Sequence, residues 1–178
     1  GAVLVEMRFG AKRGMRPGLI SLFREAEDRV REDYPAFHAE ALVTGLWPTR
    51  PGMQEAFEDS LQAAEEGLAG IDFIPIPYDE EVDWTEAYGW ALRARDAGLG
   101  ISAHVGEFSP ANIEAGLRLP GVSRLGHAVY AAKDPTLLDQ MLEAGVTVEC
   151  CLTSNVVLGA AGSLEEHPIA EMARAGIP

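Results

Sequence analysis

Val3-Leu-Val-Glu-Met-Arg-Phe9 alternates as a β-strand does, with Leu4, Glu6 and Arg8 on one face and Val3, Val5, Met7 and Phe9 on the other. Charge opposite an apolar face suits a strand with helices outside and a polar lumen inside. Polar residues recur inside later apolar runs: Asp72 in Gly70–Ile74, His104 in Gly100–His104, His127 in Val122–His127 and Glu149 in Val146–Cys151. With Val3–Phe9 and Ala41–Trp47 these make six strand-like runs. Helix-like stretches lie between and after them, at Gly18–Tyr34, Met53–Glu66, Trp84–Ala97, Pro110–Leu119, Pro135–Ala144 and Pro168–Ala175. Ser109-Pro110, Asp134-Pro135 and His167-Pro168 each put a proline at a first helical position, and Gly67, Gly98, Gly145 and Gly176 stand just past four helices.

Strand–helix alternation with short connections predicts a parallel sheet, either doubly wound or closed into a barrel. A doubly wound sheet usually carries a glycine-rich phosphate loop after its first strand. No G-x-G-x-x-G or Walker pattern occurs here. The polar strand interiors favour the other α/β class, a (β/α)8 barrel. About six of the eight strand–helix units of such a barrel are present, so residues 1–178 read as one incomplete barrel domain. A sheet two strands short would expose raw edges, and the stretch begins at Gly1 inside a strand-like run. Both features make it the expected central portion of something longer.

The 178 residues are 47% hydrophobic, enough for a packed core, and carry a formal net charge of −14. That balance repels nucleic-acid phosphates and anionic lipid alike, so neither is an expected partner. Gly1–Phe9 has no basic region before it, and Lys12, Arg13 and Arg16 follow it, unlike a signal peptide. Adjacent Cys150 and Cys151 point opposite ways on a strand and should not pair, which fits a reducing, cytoplasmic setting.

The segment Gly100-Ile-Ser-Ala-His-Val-Gly-Glu107 concentrates the chemistry. His104 ends a strand, Gly106 permits a tight turn, and Glu107 follows. In a barrel the C-terminal strand ends form the active face, where an imidazole can bind metal and a carboxylic acid can move a proton. An isolated H-x-x-E is more often a buried histidine beside a helix-capping acid. Arg124-Leu-Gly-His127 ends the next strand in the same way, and adjacent strands would bring the two rings together. Asp72 could orient a ligand or tie down the lumen, and Ser154 and Asn155 could cap a turn. Pro75 and Pro77 stiffen a loop over the site.

Taken in order, these segments resemble the adenosine deaminase family of zinc hydrolases within the amidohydrolase superfamily. His104-Val-Gly-Glu107 is similar to the family's His-Ala-Gly-Glu, Leu125-Gly-His127 to its Gly-His-Gly, and Cys151-Leu-Thr-Ser-Asn155 to its Cys-Pro-Thr-Ser-Asn. Val5–Phe9 resembles the family's second strand, and Gly70-Ile-Asp72 with Asp79-Glu80 its fourth. The resemblance implies deamination of adenosine or a related aminopurine, with one zinc ion. His104 would be a zinc ligand. Glu107 would give a proton to the purine N1 as water attacks the amino-bearing carbon, and His127 would orient and deprotonate that water. Asp72, Ser154 and Asn155 would contact substrate. The family's His-x-His on the first strand and Asp on the eighth have no counterpart here; the other histidines are His38 and His167. The remaining ligands are therefore expected outside this segment, and the segment alone is expected to bind zinc weakly and to be inactive. Phe73-Ile-Pro-Ile-Pro-Tyr78 replaces a Leu-Ala-Gly whose glycine contacts the purine in the family, and Ala128 replaces a glycine after His127. Another amino-heterocycle or amide substrate, or a metal-free binding module on the same fold, are the competing readings. Cytidine-type zinc deaminases are excluded by the absence of P-C-x-x-C.

Overall fold

A computed structural model describes residues 3–11 and 18–178. Gly1 and the basic residues Lys12, Arg13 and Arg16 lie outside the described residues. Six strands run in chain order through one sheet: β1 (Leu4–Gly10), β2 (His38–Leu46), β3 (Gly70–Phe73), β4 (Gly100–Val105), β5 (Val122–His127) and β6 (Thr147–Glu149). Every neighbouring pair is parallel. The helices are α1 (Leu19–Asp33), α2 (Met53–Ala64), α3 (Thr85–Asp96), α4 (Ile113–Leu117), α5 (Pro135–Ala144), α6 (Leu152–Val157) and α7 (Ile169–Ala175). A sequential parallel order with helical crossovers is barrel topology, not the reversing order of a doubly wound sheet.

The sheet curls. β1 and β6 are its two edges, five strand spacings apart, or roughly 24 Å if the sheet were flat. Yet the Arg8 guanidinium on β1 meets the Glu149 carboxylate on β6. Arg124 on β5 closes the lattice, 2.6 Å from Glu6 and 2.8 Å from Glu149. The charged face read from Val3–Phe9 is thus the concave interior of a half-barrel.

The opposite face packs on the helices. Ile71, Phe73, Ile101, Ala103, Val105 and Leu125 are at most 1% exposed, and each large one buried stabilises by about 1.5–3 kcal/mol. Phe57 of α2 stacks on Trp90 of α3 with ring centroids 4.5 Å apart. Phe9 meets Phe23 of α1 edge-on, while Met7 stays 47% exposed, so the outer face of β1 is only partly covered.

Several boundaries differ from the sequence reading. Pro135 does start a helix, with Asp134 accepting the Thr136 N–H at 2.9 Å. Pro110 instead sits in a turn before α4, and Pro168 is the cap of α7. Gly67, Gly98, Gly145 and Gly176 all have positive φ. The run Val146–Cys151 is a strand only to Glu149, because its partner β5 has already turned away at His127. The residues expected to form a polar turn, among them Ser154 and Asn155, form α6. Cys150 and Cys151 are unpaired. Among the described residues no helix is long and apolar enough to cross a membrane.

Candidate functional site

Strand alternation aims Thr44, Asp72, Ser102 and His104 into the concave face, at the C-terminal end of the sheet. Asp72 is fully buried there. Its carboxylate accepts from the Thr44 hydroxyl, from Ser102 Oγ at 2.9 Å, and from His104 Nδ1 at 2.8–3.0 Å, with Arg8 3.5 Å away. Burial alone would raise the Asp72 carboxyl; the bond and charge from His104, the Thr44 hydroxyl and Arg8 overturn that and hold it below the usual carboxylate range. A carboxylate on Nδ1 fixes the His104 ring and leaves Nε2 for a ligand. Gly126 pairs with His104 across the sheet, and a Cβ there would lie 3.2 Å from the ring. Glycine at 126 lets the imidazole lie over the strand.

By alternation His127 should follow Leu125 outward to the helices. It does not, because its backbone is left-handed (φ 67°), as is that of Ala128 (φ 48°). Such conformations are costly for residues with a Cβ and gather at functional sites. The turn brings the His127 ring back to His104, centroids 5.2 Å apart. Gly106, itself at φ 73°, forms the turn that leads to Glu107; a Cβ there would strike Ile113 and Ala128. Glu107 Oε1 lies 3.3 Å from His127 Nδ1. His104, Glu107 and His127 therefore converge, with Glu107 and His127 buried. Burial holds the His127 pKa below its ordinary value.

Asn155, fully buried on α6, reaches both: its Nδ2 is 2.9 Å from His127 Nδ1 and 3.3 Å from Glu107 Oε1. Its Oδ1 is 3.1 Å from His167 Nε2. His167, set aside in the sequence as a residue at a helix start, is thus part of the site, whereas His38 is exposed beside Glu27 at the N-terminal end of β2, the end of the strand opposite the site. Nothing local in His167-Pro168 marks this role. Ser154 is half-buried on the same helix.

The loop after β3 closes over these groups. Asn112, buried, donates to the Glu80 carbonyl at 2.7 Å and accepts from Trp84 Nε1 at 3.0 Å, pinning the loop to the start of α4. Tyr78 stacks edge-on against Phe108, the neighbour of Glu107. Its hydroxyl is buried without a hydrogen-bond partner, the one such side-chain atom among the described residues. Burial and the Glu107 charge push the phenol well above its ordinary pKa, yet no hydrogen bond of acceptable geometry joins the two.

A half-barrel with histidines and a carboxylic acid at its strand ends has the fold of the amidohydrolase barrels. The adenine deaminase of Arthrobacter aurescens superposes with TM-score 0.79 at 24% identity, over 98% of this chain and 54% of that one. A zinc-bound amidohydrolase of Burkholderia ambifaria superposes at 0.71, with 18% identity over 98% and 50%. The adenosine deaminase family model matches residues 16–178, and the chain belongs to that family. It is 33% identical over 153 residues to the adenosine deaminase of Klebsiella pneumoniae strain 342, covering 83% of this chain and 45% of the relative. To the adenosine deaminase of Klebsiella pneumoniae subsp. pneumoniae it is 41% identical over 150 residues, with the same coverage. The chain thus spans less than half the length of these relatives.

Proposed function

We propose that the protein containing this chain is a zinc-dependent hydrolytic deaminase of adenosine or a related aminopurine. The observation that carries the proposal is the convergence of His104, Glu107 and His127, with His104 Nδ1 held by buried Asp72 so that Nε2 faces a ligand. This donor set fits one metal ligand with its orienting carboxylate. Among the described residues no group of three His, Cys, Asp or Glu side chains could hold a metal ion, so the other ligands are assigned outside them. When bound, zinc supplies the Lewis acidity that brings a water's pKa to about 7.

This chain's own residues do the rest. Glu107 delivers a proton to the ring nitrogen, making the amino-bearing carbon electrophilic as water adds. His127 orients that water. Ser154 contacts substrate, whereas Asp72 and Asn155, fully buried, act through His104 and through His127 and Glu107. The Tyr78 hydroxyl and the rebuilt loop favour an aminopurine, or another amino-heterocycle, differing from adenosine where that loop touches it. The net charge of −14 supports a small-molecule substrate and not a nucleic acid, and the unpaired cysteines support a cytoplasmic enzyme. Residues 1–178 are taken as one incomplete barrel domain.

The test compares the 178-residue chain with the full-length protein for zinc content and for ammonia release from adenosine, adenine and related aminopurines. Full-length protein should carry one zinc and be active; the chain alone should bind zinc weakly and be inactive. Glu107→Gln should abolish turnover and keep the metal. Stoichiometric zinc in the chain alone would overturn the ligand assignment. A metal-free full-length protein would favour a binding module.

A further inference from the structure

A chain of hydrogen bonds whose polarity is fixed at one end runs into His127. The backbone N–H of Ile169 donates to His167 Nδ1 at 3.2 Å. A backbone amide can only donate, so His167 Nδ1 accepts, and the proton of this neutral ring sits on Nε2. Burial, which lowers the His167 pKa, keeps the ring neutral. Nε2–H then donates to Asn155 Oδ1 at 3.1 Å. The amide cannot be turned over, because its NH2 would then face the N–H of His167. Asn155 Nδ2 must therefore point the other way, with one hydrogen toward His127 Nδ1 at 2.9 Å and one toward Glu107 Oε1 at 3.3 Å.

From this geometry we infer that His127 presents an N–H, not a lone pair, to the reacting water, and that His167 and Asn155 are the positioning residues that impose this tautomer. A neutral imidazole whose Nδ1 accepts carries its proton on Nε2, the nitrogen left for the substrate side. The alternative has His127 Nδ1–H donating to Glu107 Oε1 at 3.3 Å. It would set that N–H against the Asn155 N–H at the shorter distance of 2.9 Å. The inference rests on the deaminase reading and sharpens it: in this state His127 orients the water through a lone pair of the water's own oxygen and has none of its own with which to take a proton. The water's proton therefore leaves to bulk solvent before attack, as a pKa of about 7 allows. No residue near His127 in sequence discloses this, since the polarity is set 42 positions away at Ile169.

The test is nitrogen NMR of the full-length zinc protein labelled with 15N-histidine, with His127 assigned by the loss of its signals in His127→Gln. The expected spectrum shows His127 Nδ1 as an unprotonated, hydrogen-bonded nitrogen and Nε2 as a protonated one. Asn155→Asp should reverse the two, because a carboxylate accepts from Nδ1–H. His167→Leu, which frees the Asn155 amide, should mix the tautomers and lower kcat on the order of tenfold at little-changed KM, the usual effect of losing an orienting partner. His167→Gln, which restores an N–H donor, should recover most of that loss. A protonated Nδ1 in the wild-type protein would overturn the inference, as would an unchanged tautomer and kcat in His167→Leu. If the wild-type spectrum is as expected but no aminopurine is turned over, the tautomer stands and the deaminase reading fails. If turnover is found with Nδ1 protonated, the reverse holds.

Discussion

Replacing Asp72 by Asn keeps the shape of the side chain and removes its charge. The carboxylate takes bonds from His104, Ser102 and Thr44 and lies 3.5 Å from Arg8, so every neighbour is a donor or a cation. An amide offers one acceptor oxygen and turns an NH2 toward the rest. The Ser102 and Thr44 hydroxyls can rotate to accept, but the His104 bond loses its charge assistance and Arg8 loses a counter-charge in a fully buried position. Hydrogen bonds to charged groups are worth about 1.5–3 kcal/mol, and breaking a buried ion pair from one side about 3–5. Arg8 keeps Glu149, so a cost near the lower end, ~3 kcal/mol, is expected. Urea unfolding of the full-length protein, followed by the fluorescence of buried Trp47, Trp84 and Trp90, measures it. With a slope of about 2 kcal/mol per molar the midpoint should fall by roughly 1.5 M. Ser102→Ala, which removes one neutral donor, should cost only about 1 kcal/mol. Zinc affinity should also drop about 10- to 100-fold in Asp72→Asn, since His104 loses its orienting carboxylate. If Asp72→Asn is no worse than Ser102→Ala in both measurements, the carboxylate charge does not hold His104 and the reasoning fails.

Ala128 is left-handed at φ 48°, so Ala128→Gly should stabilise by about 1 kcal/mol and raise Tm by roughly 2–4 °C; no gain in calorimetry would mean the turn is not strained. Tyr78→Phe deletes a buried hydroxyl without a partner, so it should leave stability unchanged or raise it by ~1 kcal/mol, and a loss would reveal an unseen bond. Glu27, buried, accepts from the Ala39 N–H at 3.0 Å and from Arg24 at 2.9 Å. Burial works to raise its pKa, and those two bonds overcome it to hold the folded value below the ordinary one. Its contribution is therefore complete above the unfolded pKa of about 4.3 and lost as pH falls through the lower folded value. The stability deficit of Glu27→Gln should accordingly be constant from neutrality down to pH ~5 and shrink below ~4; a deficit that persists in acid would show the charge to be irrelevant.

The features legible in the sequence are those whose signals are local. Alternation in Val3–Phe9 disclosed a charged interior, and the repeated strand–helix pattern gave parallel strands in chain order. His104, Glu107 and His127 were readable because each ends, or directly follows, a recognisable strand. What the sequence left undetermined depends on register and backbone direction. Asp72 and His104 are 32 residues apart, and only their alignment across β3 and β4 makes one the orienting carboxylate of the other. Alternation would even have sent His127 to the wrong side; a left-handed backbone, which no pattern of residue types announces at a histidine followed by alanine, turns it back. Cys150 and Cys151 were apolar enough to extend the strand but had no partner beside them once β5 turned away, and the polar turn expected after them became a helix that carried Asn155 under His127. His167, just before α7, joined the site through its bond to Asn155. A strand's side-chain period follows from covalent geometry and is written along the chain, whereas hydrogen-bond partners between distant residues are chosen only when the sheet closes and fixes which donors face which acceptors.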